Sequence, residues 1–412
     1  MKYFIINNIK ETYIDNELII VNTLNNACIK LKDDIFIEQY NILKKQGTNN
    51  IDSELKKLLY EQEILVNIKL IEKYNNQLLS IMRKVLYITI MPTEQCNFRC
   101  TYCYEDFNTK IMNENKIEII KEFVSDLVEK HGIKRVSLFW FGGEPTLCKD
   151  IVLKTTAYFR DMSNKYNIKF ISGMTTNGYL LNTVSFKQYL EAGITCYQIT
   201  IDGLHHDDTR MLVNGSPTFN KIIDNIKRIH LLDCNKYKFN ITIRNNILAT
   251  NKDFHWYMYL KEIIGNDERF SVFLKRVLKM GGANDENLDI IKSDHDDIFI
   301  EHLNAAKSSG LKIVNNKNTP LCETCYASYP YSFIFRANGD INKCSVALYD
   351  EINRIGYIDE ISKTVKIFKE KNELWTNIKL TDDCLVCPNV TICMNKMCPK
   401  YMLFNNKVKN CI

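Results

Sequence analysis

The spacing of hydrophobic and polar positions changes twice along the chain, near residues 80 and 316. Between these points, short apolar runs alternate with amphipathic segments of helical period, such as residues 116–130 and 219–232. Strands that alternate with helices are typical of a parallel sheet with helices outside it. The pattern predicts an α/β fold, a partial (β/α)6 TIM-like barrel, with strands at residues 85–91, 135–141, 169–174, 196–201, 239–243 and 270–274.

The two flanking blocks have other patterns. In the first block, positions 17–30 alternate apolar and polar residues around Asn25-Asn26, which predicts a β-hairpin, and residues 34–45 and 52–62 have helical spacing. After residue 316 the chain is rich in cysteine and has few long helical patterns, as expected of a domain whose fold is stabilised by bound metal. We therefore expect three domains, at residues 1–80, 85–310 and 316–412.

Composition and charge narrow the class of protein. A length of 412 residues suits two or three domains, and 45% hydrophobic with 25% charged residues is typical of a globular protein. No apolar run reaches the ~18 residues that span a bilayer. The amino-terminal segment lacks a secretory cleavage site, so we expect a cytoplasmic protein without a membrane partner. The net charge of +5 is spread along the chain, which disfavours nucleic acid as a partner.

Cysteine is the unusual component. Fifteen cysteines are many for a cytoplasmic chain, where thiols stay reduced and clusters of them indicate metal or catalysis. Three lie at positions 96–103 and eight between Cys322 and Cys411. The remaining four are scattered, and we expect them to be small core residues: Cys28, Cys148, Cys196 and Cys234.

The first cluster follows directly after the first predicted barrel strand. Residues 93–104 are Thr-Glu-Gln-Cys-Asn-Phe-Arg-Cys-Thr-Tyr-Cys-Tyr. A closed structural site needs four ligands, whether it holds zinc or a cubane cluster, but only three thiols are present locally. Three thiolates on a cubane leave one iron open for a substrate, which favours a catalytic centre. A zinc knuckle is the alternative.

This motif resembles the Cys-x3-Cys-x2-Cys signature of radical S-adenosylmethionine enzymes, with Tyr102 as the aromatic residue before the last cysteine. The resemblance implies that Cys96, Cys100 and Cys103 hold a [4Fe–4S] cluster whose open iron binds S-adenosylmethionine. In that family an electron from the cluster cleaves this cofactor to methionine and a 5′-deoxyadenosyl radical, which abstracts hydrogen. An oxidoreductase of this type also implies an electron donor such as flavodoxin or ferredoxin.

Further motifs follow the other predicted strands. Residues 142–145 resemble the family's GGEP motif, and their two glycines would let the backbone approach a ligand. After the next two strands come Thr-Thr-Asn-Gly at 175–178 and a polar segment at 198–210, and Arg244 ends the fifth strand and competes with Arg210 for the cofactor carboxylate. By resemblance the cofactor-binding residues are Tyr102, Gly142, Gly143, Glu144, Asn177, Thr200, Asp202 and Arg210. We expect His205 and His206 to be structural.

The carboxy-terminal cysteines resemble a SPASM domain, which carries auxiliary [4Fe–4S] clusters. The resemblance implies an outer cluster on Cys384, Cys387, Cys393 and Cys411, and an inner one on Cys325, Cys344 and Cys398 with Cys322 as a fourth ligand. The spacing from Cys393 to Cys398 and the closeness of Cys322 to Cys325 both depart from the family pattern. The inner cluster could therefore have an open iron for a substrate thiolate. A zinc tetrathiolate on Cys384, Cys387, Cys393 and Cys398 is the alternative.

The amino-terminal block resembles, less specifically, the winged-helix element by which peptide-modifying enzymes bind a leader peptide. The resemblance implies that a precursor peptide adds as a strand at a sheet edge near Tyr13, Ile14 and residues 17–21. The alternative is a packing extension of the barrel.

These expectations combine into a function. The leading hypothesis is a maturase that abstracts hydrogen from a residue of a ribosomally made precursor peptide and forms a cysteine thioether. A maturase of the sulfatase type, which makes formylglycine, is the first alternative. In that branch an aspartate follows the cysteine of the Gly-x4-Cys element, whereas Ser345 follows Cys344 here. A non-catalytic iron–sulfur or zinc scaffold, or an electron carrier, is the alternative from another class.

Overall fold

A computed structural model of the chain describes residues 3–5, 9–22, 26–46, 52–107, 110–291, 297–314, 325–377 and 398–405. The chain divides into two compact units, one of residues 1–83, 316–330 and 373–412 and the other of residues 84–315 and 331–372. The division into three domains stays a prediction. Within the described residues, no helix has both the length and the apolar character needed to cross a bilayer.

The first unit begins with short strands and three helices. In chain order these are β1 (Tyr3–Ile5), β2 (Ile9–Ile14), β3 (Glu17–Asn22), β4 (Cys28–Leu31), α1 (Asp34–Gln46), α2 (Ser53–Glu61), β5 (Leu65–Asn67) and α3 (Ile68–Met82). Strands β2, β3 and β4 form an antiparallel sheet in that order, and β1 pairs with β5. The inward residues of β3 and β4, such as Leu18 and Ile29, pack with Tyr40 of α1 in one apolar core.

The predicted hairpin at residues 17–30 corresponds to β3 and β4, but β2 was not predicted. Its turn to β3 places Asp15 and Asn16 at φ of 50° and 64°, the left-handed conformation of a tight hairpin turn. Because β3 pairs on both sides, residues 17–21 are central in the sheet rather than at an edge. Tyr13 and Ile14, in contrast, lie in the edge strand β2 and are 59% and 51% exposed.

The second unit contains the parallel strands. Its elements are β6 (Val85–Ile90), β7 (Phe98–Cys100), α4 (Glu114–His131), β8 (Arg135–Trp140), α5 (Lys149–Lys165), β9 (Lys169–Thr176), α6 (Thr183–Ala192), β10 (Cys196–Thr200), α7 (His206–Thr209), β11 (Arg210–Leu212), α8 (Phe219–His230), β12 (Asn240–Ile247), α9 (His255–Ile264), β13 (Phe270–Arg276), α10 (Asp297–Ser308), β14 (Ser332–Phe335), β15 (Asp340–Asn342), β16 (Arg354–Asp359) and β17 (Thr364–Ile367). Short 3-10 turns of this unit cover Pro145–Cys148, Asp285–Asn287 and Glu351–Asn353, and α11 (Lys369–Thr376) begins in it. The 3-10 turn Tyr326–Ser328 and helix α12 (Pro399–Asn405) lie in residues of the first unit.

The predicted partial barrel is confirmed. In the described residues, strands pair in parallel in the order β6-β8-β9-β10-β12-β13, with helices between successive strands. Each strand buries apolar side chains, and Trp140 of β8 also donates from Nε1 to Thr156 Oγ1 of α5 at 2.9 Å. The helices have conventional ends: Asn113 caps α4, which stops at Gly132 with φ of 59°.

The second unit extends the barrel sheet beyond β6. Strand β14 pairs in parallel with β6, and β15, β16 and β17 continue the sheet in antiparallel fashion. This extension was not predicted, and the SPASM and winged-helix assignments stay predictions. Of the four scattered cysteines, Cys148 is buried as expected, whereas Cys28 and Cys234 are exposed and Cys196 is intermediate, so the core prediction was wrong for Cys28 and Cys234.

Candidate active site

The three-cysteine loop leaves the carboxyl end of β6 and is held by a short ribbon. Strand β7, which lies inside the motif, pairs antiparallel with β11, so that Cys100 stands opposite Arg210. The Thr101 N–H donates to the Thr209 carbonyl at 2.9 Å, and the Val213 N–H donates to the Asn97 carbonyl at 3.0 Å. The loop that carries the cysteines therefore has its own backbone pairing.

The thiols of this loop are partly buried. Burial raises the pKa of Cys96 and Cys100 above that of an exposed thiol and raises the pKa of Cys103 to about 12. All three cysteines line one cavity, and the Phe98 N–H donates to Cys96 Sγ at 3.3 Å. Buried thiols of this kind become thiolates when metal supplies the compensating charge.

This donor set fits an iron–sulfur cluster. Within the described residues, no three side chains among His, Cys, Asp and Glu are already grouped around the position of a single ion. A cubane takes each thiolate at a separate iron, so its ligands need to face one cavity rather than one point. The three cysteines meet that requirement.

The two glycines after β8 permit a close approach to the cysteine loop. A Cβ on Gly142 would lie 2.4 Å from the Thr93 carbonyl oxygen, and one on Gly143 would lie 2.1 Å from that of Gln95. The Glu144 N–H donates to the same Gln95 oxygen at 2.8 Å. Both glycines also line the cavity. The close neighbour that requires glycine is thus the loop backbone, whereas the sequence suggested a ligand.

The Glu144 carboxylate organises the floor of this region. It is 1% exposed and accepts hydrogen bonds from Thr146, from the Thr176 hydroxyl at 2.7 Å and from the Asn177 N–H at 2.7 Å. Burial raises the pKa of Glu144, and these donors oppose the rise. Because its oxygens already have protein donors, Glu144 positions β9, and its predicted contact with the cofactor stays a prediction.

Asn177 connects β9 to the first cysteine. Its side-chain amide donates to Asn97 Oδ1 at 2.8 Å and lies 4.0 Å from Cys96 Sγ. The Tyr179 N–H donates to its Oδ1 at 3.0 Å, which fixes the orientation of the amide. Asn177 therefore faces the cavity with its donor directed at the cysteine loop.

A second polar network surrounds Tyr102. Its hydroxyl donates to Asp202 Oδ2 and accepts from Arg210 Nη1 at 2.9 Å and from Asn246 Nδ2 at 3.0 Å. Thr209 also donates to Asp202, at 2.9 Å. Asp202 is not among the cavity-lining residues, so the structure places it behind Tyr102. A direct contact between Asp202 and the cofactor stays a prediction.

The cavity has a volume of about 160 Å³ at the carboxyl ends of the strands. Within the described residues, Arg210 Nε is buried in this region without a hydrogen-bond partner, and such a donor suits an anionic group. His206 is buried and its Nδ1 accepts from the Asp202 N–H at 3.2 Å, while His205 is exposed; neither lines the cavity, and their structural role stays a prediction. The predicted residues on the cavity wall are Cys96, Cys100, Tyr102, Cys103, Gly142, Gly143, Glu144, Asn177, Thr200, Arg210 and Arg244.

Two of the polar wall residues that sequence reasoning did not assign to the site are at strand ends. Asn246 and Arg276 lie at the carboxyl ends of β12 and β13 and both line the cavity. The rule that functional residues follow parallel strands could have identified them. A third feature, the segment after β13, adds Val277, Leu278 and Met280 to the wall, and a Cβ on Gly282 would lie 2.5 Å from the Cys103 carbonyl oxygen.

The predicted auxiliary ligands are only partly described. Cys344 is buried, its N–H donates to Asn353 Oδ1 at 2.7 Å, and the Asn353 amide donates back to its carbonyl at 2.8 Å. Cys325 and Cys398 belong to the first unit and are partly exposed. The other predicted ligands lie outside the described residues: Cys322, Cys384, Cys387, Cys393 and Cys411.

Comparison with known proteins agrees with this geometry. Residues 90–247 match the sequence profile of the family described as the Radical SAM superfamily. This stretch is a radical SAM domain. It spans β6 to the end of β12 and includes the three cysteines, the Gly142-Gly143-Glu144 turn and Arg210. The domain supports the expected enzyme status and the expected use of a [4Fe–4S] cluster and S-adenosylmethionine.

Individual relatives match less than half of this chain. The GTP 3',8-cyclase of Haemophilus influenzae (strain 86-028NP) is 29% identical over 180 residues, which are 43% of this chain and 50% of that protein. The GTP 3',8-cyclase of Listeria monocytogenes serovar 1/2a is 31% identical over 159 residues, 38% of this chain and 45% of that protein. The chain therefore spans about half the length of the curated relatives it matches.

A solved structure shares the fold over a longer stretch. It is described as native anSMEcpe with bound AdoMet and Cp18Cys peptide, and it is 20% identical to this chain with a TM-score of 0.54. The match covers 75% of this chain and 88% of that one. At this identity the likeness shows the common fold.

Proposed function

We propose that the chain is a radical S-adenosylmethionine maturase of a ribosomally made precursor peptide. The observation that carries the proposal is the set of partly buried Cys96, Cys100 and Cys103 thiols on one wall of the cavity at the carboxyl ends of the parallel strands. When bound, the cluster and S-adenosylmethionine supply the 5′-deoxyadenosyl radical that abstracts hydrogen from the substrate.

The described residues have distinct parts in this activity. The β7–β11 ribbon and the Gly142-Gly143 turn orient the cysteine loop. Arg210, with its buried Nε, would bind the carboxylate of S-adenosylmethionine, and Arg244 on the same wall is the second candidate. Val277, Leu278 and Met280 would exclude water and oxygen from the radical.

Two features support a peptide as the substrate. The first unit has an edge strand, β2, whose Tyr13 and Ile14 are exposed, and an extended leader peptide could add there by main-chain pairing. The structure of native anSMEcpe holds AdoMet and a peptide on the same fold. The likeness to GTP 3',8-cyclase extends over 43% of this chain and 50% of that protein, and GTP is therefore the substrate against which the peptide is tested.

The carboxy-terminal cysteines would extend the chemistry. We propose that they hold two auxiliary [4Fe–4S] clusters, which accept the leftover electron or bind a substrate thiolate during thioether formation. Replacing Cys384 or Cys387 should then leave some cleavage of S-adenosylmethionine but remove the peptide product. The presence of Ser345 after Cys344 argues for thioether formation over formylglycine formation.

The test uses the full chain reconstituted without oxygen. Iron and sulfide are counted per chain, and 5′-deoxyadenosine is measured after addition of dithionite and S-adenosylmethionine, with a cysteine-containing precursor peptide encoded beside the gene or with GTP. About twelve irons and peptide-dependent deoxyadenosine would support the proposal. A peptide that loses two hydrogen atoms together with its free thiol, and does not regain them on reduction, indicates a thioether, and one whose thiol is replaced by an aldehyde indicates formylglycine. Turnover of GTP, or zinc in place of iron, would overturn it.

A further inference from the structure

Two acidic residues flank the three cysteines. Glu94 lies two residues before Cys96 and Glu105 lies two residues after Cys103. Their side chains are buried, at 3% and 9% exposed. Among the described residues, Oε2 of each carboxylate has no hydrogen-bond partner. A buried carboxylate needs a compensating cation.

Arg336, the residue after β14, supplies this cation at the first end of the loop. Its Nε donates to Glu94 Oε1 at 2.8 Å, with both side chains nearly buried at 7% and 3% exposed. Its Nη1 donates to the Leu348 carbonyl at 2.9 Å.

At the other end of the loop the contact comes from Tyr349, the residue next to Leu348. The Asp106 N–H donates to the Tyr349 hydroxyl at 2.8 Å. The Arg336 guanidinium lies 5.1 Å from the Tyr349 ring centroid, within cation–π range. Leu348 and Tyr349 follow Cys344 by four and five residues. Residues 336–349 therefore contact the cysteine loop on both sides of the three thiols.

We propose that Arg336 is a positioning residue for the radical cluster: with Tyr349 it clamps both ends of the cysteine loop and links that loop to the segment that carries Cys344. Arg336 is not among the cavity-lining residues, so it acts through Glu94 and the loop and touches neither cofactor nor substrate. The clamp rests on the assignment of the cluster to the three cysteines and is independent of the peptide substrate.

The test compares Arg336→Met, Arg336→Lys, Glu94→Gln and the double variant Arg336→Met/Glu94→Gln in the reconstituted full chain. Hydrogen exchange is followed in the peptide that covers residues 94–107, and the EPR spectrum of the reduced protein is recorded with and without S-adenosylmethionine. The matched control is Arg354→Met, which removes the exposed ion pair between Arg354 of β16 and Asp340 of β15.

Arg336→Met should speed exchange of the Asp106 amide at least about tenfold, because it leaves the buried Glu94 carboxylate without its cation and removes the contact with Tyr349. It should also weaken the spectral change on addition of S-adenosylmethionine at equal iron content. In the double variant, exchange should be no faster and the spectral change no weaker than in Arg336→Met, because the Arg336 cation and its Glu94 partner are removed together. Arg354→Met should match the parent chain.

Arg336→Met with parental exchange and a parental spectral response would overturn the clamp. If it fails to fold, Arg336→Lys and Glu94→Gln decide instead, because Lys keeps the charge but cannot donate to Glu94 and Leu348 with the same fork, and Gln keeps the shape of Glu94. Parental behaviour of both would equally overturn it. A parent chain without any spectral response to S-adenosylmethionine would instead contradict the cluster assignment, while the exchange data would still decide on the clamp.

Discussion

Acidic side chains differ in their burial and in their partners between the cavity edge of the barrel and the sheet of the first unit. At the barrel edge, Glu144 is 1% exposed and its oxygens accept from residues of its own turn and of β9. In the first unit, Glu17 of β3 pairs with Lys30 and Lys32, whose side chains are 46% and 70% exposed. A buried acceptor with several donors fixes the backbone around it, whereas an exposed ion pair contributes little and is screened by salt. The hydrogen bonds of Glu144 therefore fix the backbone geometry of the barrel edge, whereas side chains on the sheet surface of the first unit can be replaced with little loss of stability.

The strongest test of the barrel edge is the loss of one thiol. Cys96→Ala, Cys100→Ala or Cys103→Ala should abolish reductive cleavage of S-adenosylmethionine, because two thiolates cannot hold the cluster with its open iron. Iron content should fall by about four per chain. The measurement is 5′-deoxyadenosine by chromatography together with iron analysis. Cys234→Ala, at an exposed position, is the matched control and should retain both cleavage and iron content. Retained cleavage in the Cys96, Cys100 or Cys103 variants would show that these thiols do not hold the radical cluster.

The sequence predicted the positions of the barrel strands because a strand buried on both faces is a continuous apolar run. It underestimated the ends of three of them, β9, β12 and β13. Strand β12 continues to Ile247 although Arg244, Asn245 and Asn246 are polar, since these residues stay paired with β13. Polar residues at a strand end have the composition of a loop, and only the pairing of neighbouring strands shows otherwise.

The candidate site was predictable where its residues lie close together in the sequence, and not where they meet across the fold. The three cysteines and the Gly142-Gly143 turn are local motifs. The contact between Glu94 and Arg336 joins residues 242 positions apart, and the three-residue strand β11 has no pattern of its own. Such contacts arise from the topology, which places β14 beside β6.

A smaller but still large effect is expected from adding one carbon at the glycine turn. Gly143→Ala would place Cβ against the Gln95 carbonyl oxygen, which is backbone and cannot rotate away. We expect a loss of about 2–3 kcal/mol in the free energy of unfolding and poor cluster incorporation. Gly132→Ala is the control: its φ of 59° disfavours Ala by ~1 kcal/mol, but no atom lies within 4 Å. Denaturant unfolding of the two variants measures the difference, and equal losses would show that the close approach is not a constraint.

The acid sensitivity of the two units should also differ. Asp267, in the second unit, accepts hydrogen bonds from Arg269 and from His230. Burial raises the pKa of Asp267, but these donors outweigh it and hold the pKa below the usual value of 3.8. A lowered pKa in the folded chain adds stability above the unfolded value, and that stability is lost as the pH falls through the folded value.

Asp267→Asn should therefore lower the free energy of unfolding by about 1 kcal/mol at neutral pH, a figure that allows for solvent screening of this partly buried group. The loss should shrink below pH ~4. Glu17→Gln, whose carboxylate is partly exposed and has a lowered pKa because of the exposed Lys30 and Lys32, should leave the pH profile nearly unchanged. Thermal unfolding between acid and neutral pH gives both profiles. A larger acid effect for Glu17→Gln than for Asp267→Asn would contradict the expected difference in acid sensitivity between the two units.

The smallest effect on stability is expected at the edge strand of the first unit. Tyr13→Ala with Ile14→Ala removes exposed side chains, so the free energy of unfolding should change by less than about 0.5 kcal/mol. If β2 binds the leader, burial of these side chains contributes to affinity, and the labelled precursor peptide should bind about tenfold more weakly by fluorescence anisotropy. Peptide-independent cleavage of S-adenosylmethionine should continue, because these residues belong to the first unit and the cysteines to the second. Unchanged peptide affinity with unchanged cleavage would assign this surface to packing alone, whereas weaker binding at equal stability would show that the replaceable surface of the first unit is the one that selects the substrate.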